Sequence, residues 1–320
     1  MAVTKVAVLG ATGAQGGEVV AALCKKGVEV VAITRNLDSD KAKALAEKPN
    51  VSVRKGDLND VESLKAAFEG CDGAFVIANF WETMNVDIEM QQYKNAADAL
   101  KATPGITHVV FSSLDETVIP GVTDDFKVLA ENESGKMYVP HFDGKARSEK
   151  YFEGLPTTFI LASCYFENFG SFFSFAGNED GSYSFTLPLG KDKKIPWTIL
   201  PDVGALVAAA FMKPEQTIGK HIGQASFSVT GDELAEIHSK ATGKTIKYNC
   251  VPYEVFAGFG FPGAEELAQM MEHWVRTIDD FNALRSIPAQ EELIGAKMTD
   301  PVEYGKTIAH TFTFQEFQKA

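Results

Sequence analysis

The sequence predicts an α/β fold, a doubly wound parallel sheet followed by a smaller lobe on the substrate side of the sheet's C-terminal edge. Three observations carry this. An apolar run, V-A-V-L at residues 6–9, leads into glycines at three-residue spacing, Gly10, Gly13 and Gly16, and then into an amphipathic segment. Strand-like and helix-like stretches alternate from residue 3 to about 162, which argues for parallel strands joined by right-handed crossovers. Beyond 162 that rhythm is replaced by a stretch over 166–185 rich in Phe and Gly.

The first turn organises the rest. Residues 6–9 carry no charge and suit a strand buried on both faces. The segment 18–26 reads as a helix, closed by Gly27 at its C′ position. Gly10 lets the chain turn sharply, Gly13 lets backbone N–H groups approach a pyrophosphate, and Gly16 lets the helix pack against the strand. The helix N-terminus offers orphan N–H groups and a partial positive charge to phosphates. The spacing is G-x-x-G-x-x-G, not G-x-G-x-x-G. Placed between strand and helix it predicts dinucleotide binding on a Rossmann-type sheet. Within that fold it resembles the short-chain dehydrogenase/reductase type, above all its extended and atypical branches.

The remaining elements follow in order. A second strand is expected over 28–34, a short helix over 39–48 and a third strand over 51–54. A helix over 60–69 has Asp60 as a candidate N-cap and Gly70 beyond its end. A fourth strand covers 73–78. A long helix over 86–101 places Ile88, Ala96, Ala97 and Leu100 on its apolar face. A fifth strand over 108–111 precedes a long loop, 114–140, and loops of that length are usually functional or mobile. A helix over 141–152 and a sixth strand over 157–161 complete the first unit. Later helices are expected over 205–212, 234–240 and 265–275. The division is a NAD(P)-binding domain over 1–162 and a smaller α/β lobe over 163–320, partly interleaved with the first.

Bulk properties narrow the function classes. The 320 residues are 45% hydrophobic and 23% charged, as in ordinary globular proteins. No run approaches the ~18 apolar residues of a membrane helix. The chain enters a strand at once, so no targeting segment is expected and the expected location is cytoplasmic, with the nucleus left open. The four cysteines show no C-x-x-C and the six histidines no H-x-x-x-H, so no metal site is expected. A net charge of −13 disfavours direct binding to nucleic acid or to an anionic membrane.

Several residues carry candidate chemistry. Where NAD-specific sites place an acid at the end of the second strand, this chain has Arg35 followed by Asn36. A guanidinium suits a 2′-phosphate, which favours NADP over NAD, with a solvated surface Arg as the bland alternative. Asp57, before Leu58, either accepts a hydrogen bond from the adenine amine or caps a turn. Ala78, Asn79 and Phe80 end the fourth strand, where ligand crevices open, with Trp81 beside them. Ordinary short-chain reductases use Tyr-x-x-x-Lys on a helix, with a Ser after the fifth strand. Here the helix has Lys145 in place and His141 at the Tyr position, on one helix face, with Ser112 and Ser113 on the strand. His141 is a candidate proton donor near neutral pH; equally, it caps the helix or packs against a cofactor.

The chain also resembles the NmrA-like family of atypical short-chain dehydrogenases. The matching stretches are G-A-T-G-A-Q-G-G at 10–17, T-R-N at 34–36, G-D at 56–57, N-F-W-E at 79–82, H-F-D-G-K at 141–145, C-Y-F-E-N at 164–168 and G-F-P-G-A at 260–264. The resemblance implies NADP(H) contacts from Gly10, Ala11, Thr12, Gly13, Ala14 and Gln15. It also implies contacts from Arg35 and Asn36, from Asp57 and Leu58, and from Ala78, Asn79 and Phe80. Lys145 and the run Tyr165, Phe166, Glu167 and Asn168 are implied near the nicotinamide. Two departures stand out. Leu37, Asp38 and Ser39 intervene before the next nearby cation, Lys41, and the loop 114–140 is longer than in relatives. A partner-binding segment of the family would fall at about 172–202.

Two readings of function follow. One is a regulatory protein and redox sensor, whose conformation or association depends on NADP(H) occupancy and which acts through a protein partner or a homodimer. The missing Tyr and the resemblance support it. The other is an NADPH-dependent oxidoreductase acting on quinones or other carbonyls, with the Phe-rich stretch as an apolar wall.

Overall fold

In a computed structural model, residues 2–317 are described. Strand β1 (Lys5–Val8) occupies the middle of a seven-stranded sheet because its side chains are apolar on both faces. It pairs in parallel with β2 (Glu29–Thr34) on one side and β4 (Gly73–Val76) on the other. Beyond β2 lies β3 (Val51–Lys55), and beyond β4 lie β5 (His108–Ser113), β6 (Thr157–Ala162) and β7 (His221–Gln224). Every pairing is parallel, in the order β7-β6-β5-β4-β1-β2-β3. The strand order reverses between β1 and β4, the point where ligands bind in such sheets.

The period of two along β1 sorts the sheet's two faces. Val6 and Val8 pack with Val19, Val20 and Leu23 of α1 (Ala14–Lys25) and with Val203, Leu206 and Phe211 of a late helix. Ala7 and Leu9 pack on the opposite face, with Leu64 and Phe68 of α3 (Val61–Phe68) and Tyr93 and Leu100 of α4 (Val86–Ala102). The short α2 (Asp40–Ala46) is capped by the Ser39 hydroxyl, which accepts from Ala42 N–H. The helix α5 (Pro140–Ser148) runs into a 3₁₀ turn, Glu149–Phe152. The late helix is α6 (Leu200–Met212). It crosses α1 closely: a Cβ on Gly204 would stand 2.4 Å from the Glu18 carbonyl oxygen.

Several elements differ from the sequence pattern. The expected helix 18–26 starts at Ala14, because Gly13 is its N-cap, so Gly16 and Gly17 are helical. The expected helix 205–212 starts at Leu200, with Pro201 where a missing N–H costs nothing. The expected helix 234–240 runs from Gly231 to Thr242, started by a capping box between Thr230 and Glu233. The expected loop 114–140 contains a hairpin, Ala130–Asn132 against Gly135–Met137. The pattern predicts six parallel strands and the sheet has seven. Strand β7, H-I-G-Q, has one aliphatic side chain and no readable alternation; it forms because the edge of β6 pairs with it.

Beyond β6 the chain serves two places. Helix α6 and strand β7 return to the first sheet. The rest builds a three-stranded sheet (Cys164–Tyr165, Ile195–Thr198, Phe227–Val229) and a four-stranded one (Phe175–Gly177, Tyr183–Leu187, Ile246–Cys250, Phe314–Gln315). Their shared core is aromatic, with Phe166, Phe169, Phe175, Phe185 and Trp197 buried together. Helix α7 (Ala264–Arg276) leads back from this lobe across the carboxyl edge of the parallel sheet. Among the described residues no helix is long and apolar enough to cross a membrane.

Candidate functional site

The turn after β1 is built as the glycine spacing requires. Gly10 has φ +63°, a left-handed conformation that favours glycine. Gly13 N–H donates to the Gly10 carbonyl at 2.8 Å. A Cβ on Gly16 would lie 2.2 Å from that same carbonyl oxygen, so α1 can start here only if residue 16 has no side chain. The N-terminus of α1 has no side-chain cap and no acidic residue in its first turn, which leaves its N–H groups and positive end open to an anion. Gln15, 3% exposed, accepts from the Ser112 hydroxyl at 2.8 Å, while its Nε2 is buried without a partner among the described residues.

A cavity of about 770 Å³ joins this turn to the carboxyl ends of β2 through β6. Sheet order sets its two ends, with β2 and β3 on one side of β1 and β5 and β6 on the other. At the first end stand Arg35 and Asn36 from the end of β2, and Asp57 and Leu58 after β3. Arg35 Nη1 donates to Glu82 Oε1 at 2.6 Å. Glu82 belongs to a short helical turn, Phe80–Thr83, which ends in Met84 at φ +50°. Asp57 Oδ1 accepts from the backbone and side-chain amides of Asn59, a turn role, while Asp57 also lines the cavity. Lys41 lines the cavity as well and reaches the Thr12 carbonyl at 3.3 Å. Between Asn36 and the start of α2 the chain turns at Leu37 and Asp38, with Asn36 Oδ1 accepting from Asp38 N–H, and Lys41 follows in the first turn of α2. Arg35, Lys41 and the open helix N-terminus are a donor set suited to phosphates.

At the second end, α5 presents His141 and Lys145 one turn apart. Lys145 Nζ, in a residue 9% exposed, lies 2.5 Å from Oε1 of Glu89, which is 1% exposed and comes from α4. His141 Nδ1 lies 2.6 Å from Glu266 Oε1, and the same oxygen accepts His141 N–H at 2.8 Å. Glu266 comes from α7 and is also buried. Trp81 packs between His141 and Phe172, with centroids at 4.9 and 5.4 Å. The strand hydroxyls are held too: Ser113 Oγ donates to Glu149 Oε1 at 2.5 Å. Ala78 N–H donates to the hydroxyl of fully buried Tyr93 at 3.1 Å. Burial raises the Tyr165 and Cys164 pKa values, so both stay protonated at neutral pH.

Three expected contact residues lie outside this lining. Ala11 is 1% exposed and packs into the core under the sheet. Phe166 is buried in the second lobe, stacked on His238 at 4.6 Å. Glu167 accepts from Leu200 N–H at 3.0 Å and from the Tyr304 hydroxyl at 2.7 Å. For Phe166 and Glu167 the reason is the 3₁₀ turn Phe166–Gly170. At three residues per turn, Tyr165, Asn168 and Ser171 share the cavity side and the residues between them point elsewhere.

Glu89 and Glu266 are not singled out by the sequence pattern; Glu82 enters it only within the N-F-W-E stretch, and Lys41 only as a cation set back from Arg35. On α4 the expected apolar residues Ala96, Ala97 and Leu100 are buried, and the expected face fails at one position. Ile88 is 40% exposed, whereas Glu89 is buried beside Met90. Among the described residues no group of His, Cys, Asp and Glu is placed to hold a metal, and the four cysteines are free.

Comparisons with known proteins come from three directions. The model of the NmrA-like family matches residues 3–304. The NmrA-like family domain-containing oxidoreductase FrzB of Cladobotryum sp is 31% identical over 290 residues, covering 83% of this chain and 82% of that protein. An NAD(P)H azoreductase of Xenophilus azovorans is 27% identical, covering 98% of this chain and 96% of its own. The crystal structure of NmrA, a negative transcriptional regulator, in complex with NADP shares the fold at a TM-score of 0.75 and 22% identity, covering 96% of each chain.

Proposed function

The chain belongs to the NmrA-like family, and on that premise we propose that it is an NADP(H)-binding regulatory protein whose conformation follows the occupancy of its cavity. The residues present suit the cofactor. Gly16 leaves room beneath the turn, the α1 N-terminus is open, and Gln15 Nε2 is a buried donor lacking a partner. The crystal structure of NmrA with NADP supports this choice of ligand by likeness of fold.

The observation that carries the regulatory reading is the Arg35–Glu82 contact. Both side chains are about half exposed, so the pair contributes only ~0–1 kcal/mol. A charge-assisted hydrogen bond from Arg35 to a 2′-phosphate contributes ~1.5–3 kcal/mol, so phosphate wins the guanidinium and Glu82 is released. Glu82 is on the turn that holds Trp81 against His141 and Phe172. Trp81 also packs beneath Gly263, which follows the exposed Phe259 and Phe261 in sequence. Filling the phosphate end thereby biases an apolar surface, which a protein partner or second copy can read. Amide hydrogen exchange on the full chain with NADPH, NADH or neither tests this. Altered protection at 80–84 and 259–263 with NADPH and not with NADH is expected. Protection that changes only in the glycine turn overturns it.

A second reading, an NADPH-dependent reductase of quinones or other carbonyls, is favoured by the buried His141–Glu266 pair at the other end. The cofactor, when bound, supplies a hydride there. The likeness to FrzB and to the azoreductase supports this reading. NADPH consumption with a panel of acceptors tests it, and none consumed with NADPH bound overturns it.

A further inference from the structure

We propose that His141 Nε2 is the proton donor to a reduced carbonyl acceptor, and that Glu266, 125 residues away in sequence, is the residue that positions it. This rests on the reductase reading. Glu266 Oε1 faces both Nδ1 and the backbone N–H of His141, at 2.6 and 2.8 Å. A carboxylate only accepts, so Nδ1 carries a hydrogen whether the ring is neutral or charged. The ring nitrogen left to gain or lose a proton is Nε2, in a residue that lines the cavity. Two bonds to one oxygen fix both the tautomer and the ring's orientation. The carboxylate also balances the imidazolium when both nitrogens are protonated.

The surroundings fit a proton donor used on an apolar, aromatic acceptor. Phe80, Trp81 and Phe142 wall the ring, at 5.7, 4.9 and 4.9 Å between centroids. Lys145 of α5, which lines the cavity, is already paired: its Nζ, 3.4 Å from the His141 carbonyl, meets Glu89 of α4. On α7, Glu272 is paired with Arg276, and Gln269 is spent on the Tyr138 and Lys127 carbonyls. Across the cavity Tyr165 and Cys164 stay protonated. Trp274 and Met270 of α7 extend the apolar lining. The acceptor class is therefore a neutral aromatic carbonyl. A hydride adds to the acceptor and its π electron pair moves to oxygen. An O–H bond forms as the Nε2–H bond breaks, and solvent returns a proton to Nε2. The net change is acceptor plus NADPH plus one proton, giving the reduced acceptor and NADP⁺.

The test uses two acceptors that differ in their need for that proton. Phenanthrenequinone needs it. Malachite green, a triarylmethyl cation, takes a hydride at carbon and is neutral without it. With the full chain and NADPH, His141→Gln is expected to lower kcat on the quinone about 10²-fold, with a loss on the dye at least ten times smaller. Glu266→Leu should follow His141→Gln. Glu266→Gln, which keeps an acceptor for Nδ1–H, should recover part of the loss. A second readout needs no cofactor: ¹⁵N imidazole spectra should place the neutral-ring hydrogen of His141 on Nδ1. Equal losses on both acceptors, or a hydrogen on Nε2 alone, overturn the proposal. No wild-type turnover of either acceptor with NADPH bound overturns the reductase reading, and the proposal falls with it.

Discussion

Lys145 Nζ lies 2.5 Å from Glu89 Oε1, and neither side chain has substantial contact with solvent. The lysine that the H-x-x-x-K spacing places beside His141 is thus neutralised from a different helix. The second oxygen of Glu89 is buried without a partner among the described residues. The pair therefore holds α4 to α5 beside the cavity as well as positioning a cation.

Removing one partner of a buried ion pair leaves an uncompensated charge, which costs ~3–5 kcal/mol. Lys145→Met should destabilise the fold by about that much, because Glu89 stays behind. The double variant Glu89→Gln with Lys145→Met should recover most of it. Denaturant unfolding of the three proteins checks this, and additive losses would refute it. Activity lost in a Lys145 variant has to be read beside its stability.

Gly16 and Gly17 are sequence neighbours with opposite tolerance. A Cβ on Gly16 meets the Gly10 carbonyl at 2.2 Å, backbone against backbone. Gly16→Ala should destabilise by ~1–3 kcal/mol and abolish NADPH binding, since the turn must move to make room. A Cβ on Gly17 meets nothing nearer than 3.6 Å, inside a helix. Gly17→Ala should therefore stabilise by ~0.5–1 kcal/mol and leave binding intact. Thermal unfolding with a titration of NADPH decides both.

In the proposed reading Glu82 and the 2′-phosphate compete for the Arg35 guanidinium, which meets Glu82 at 2.6 Å. Arg35→Ala should weaken NADPH about 10- to 100-fold, the equivalent of one charge-assisted hydrogen bond, and change NADH little. Glu82→Gln frees the guanidinium and should tighten NADPH by up to about 5-fold, the most an exposed pair is worth. Calorimetric titrations at two salt concentrations check this. Equal effects on NADPH and NADH would remove the 2′-phosphate from the argument.

Acid stability depends on three buried histidines. Burial lowers the pKa values of His108 and His273 to about 4 and of His238 to about 3. His238 is fully buried against Phe166 and Phe169, with no partner for either ring nitrogen among the described residues. Each of these pKa values is depressed below the unfolded value of 6.5. The unfolded chain therefore binds more protons between pH 6.5 and 4, and stability falls as pH falls through that window. Each histidine accounts for ~3 kcal/mol at pH 4. His238→Phe should remove one proton from the slope of unfolding free energy against pH. An unchanged slope would show that His238 is not the group being charged.

The parts of the site that were legible in the sequence are those whose physics is local. The glycine turn announces itself because φ at Gly10 and the approach of Gly16 to its carbonyl are set within seven residues. His141 and Lys145 share a face because four residues make one helical turn. Asp60 caps its helix through two N–H groups just beyond it. The run Tyr165 to Asn168 was legible only as a block. Which of its side chains enter the cavity depends on a 3₁₀ period, and that period has no signature of its own.

The sequence by itself determined the order of the six parallel strands it marks and of the longer helices between them to residue 162, the glycine turn and the basic end of the second strand. Alternating burial, glycine and a helix start are written in neighbouring residues. Only the tertiary structure decided what those residues touch. Glu266 on His141, Glu89 on Lys145 and Glu82 on Arg35 are 125, 56 and 47 residues from their partners. Strand β7 likewise exists because the edge of β6 offers it hydrogen bonds. An acidic side chain on an amphipathic helix reads as solvent-facing until a second element is packed against it. Packing then makes a carboxylate a buried partner, because a charge leaves water only where an opposite charge or a hydrogen-bond donor is waiting.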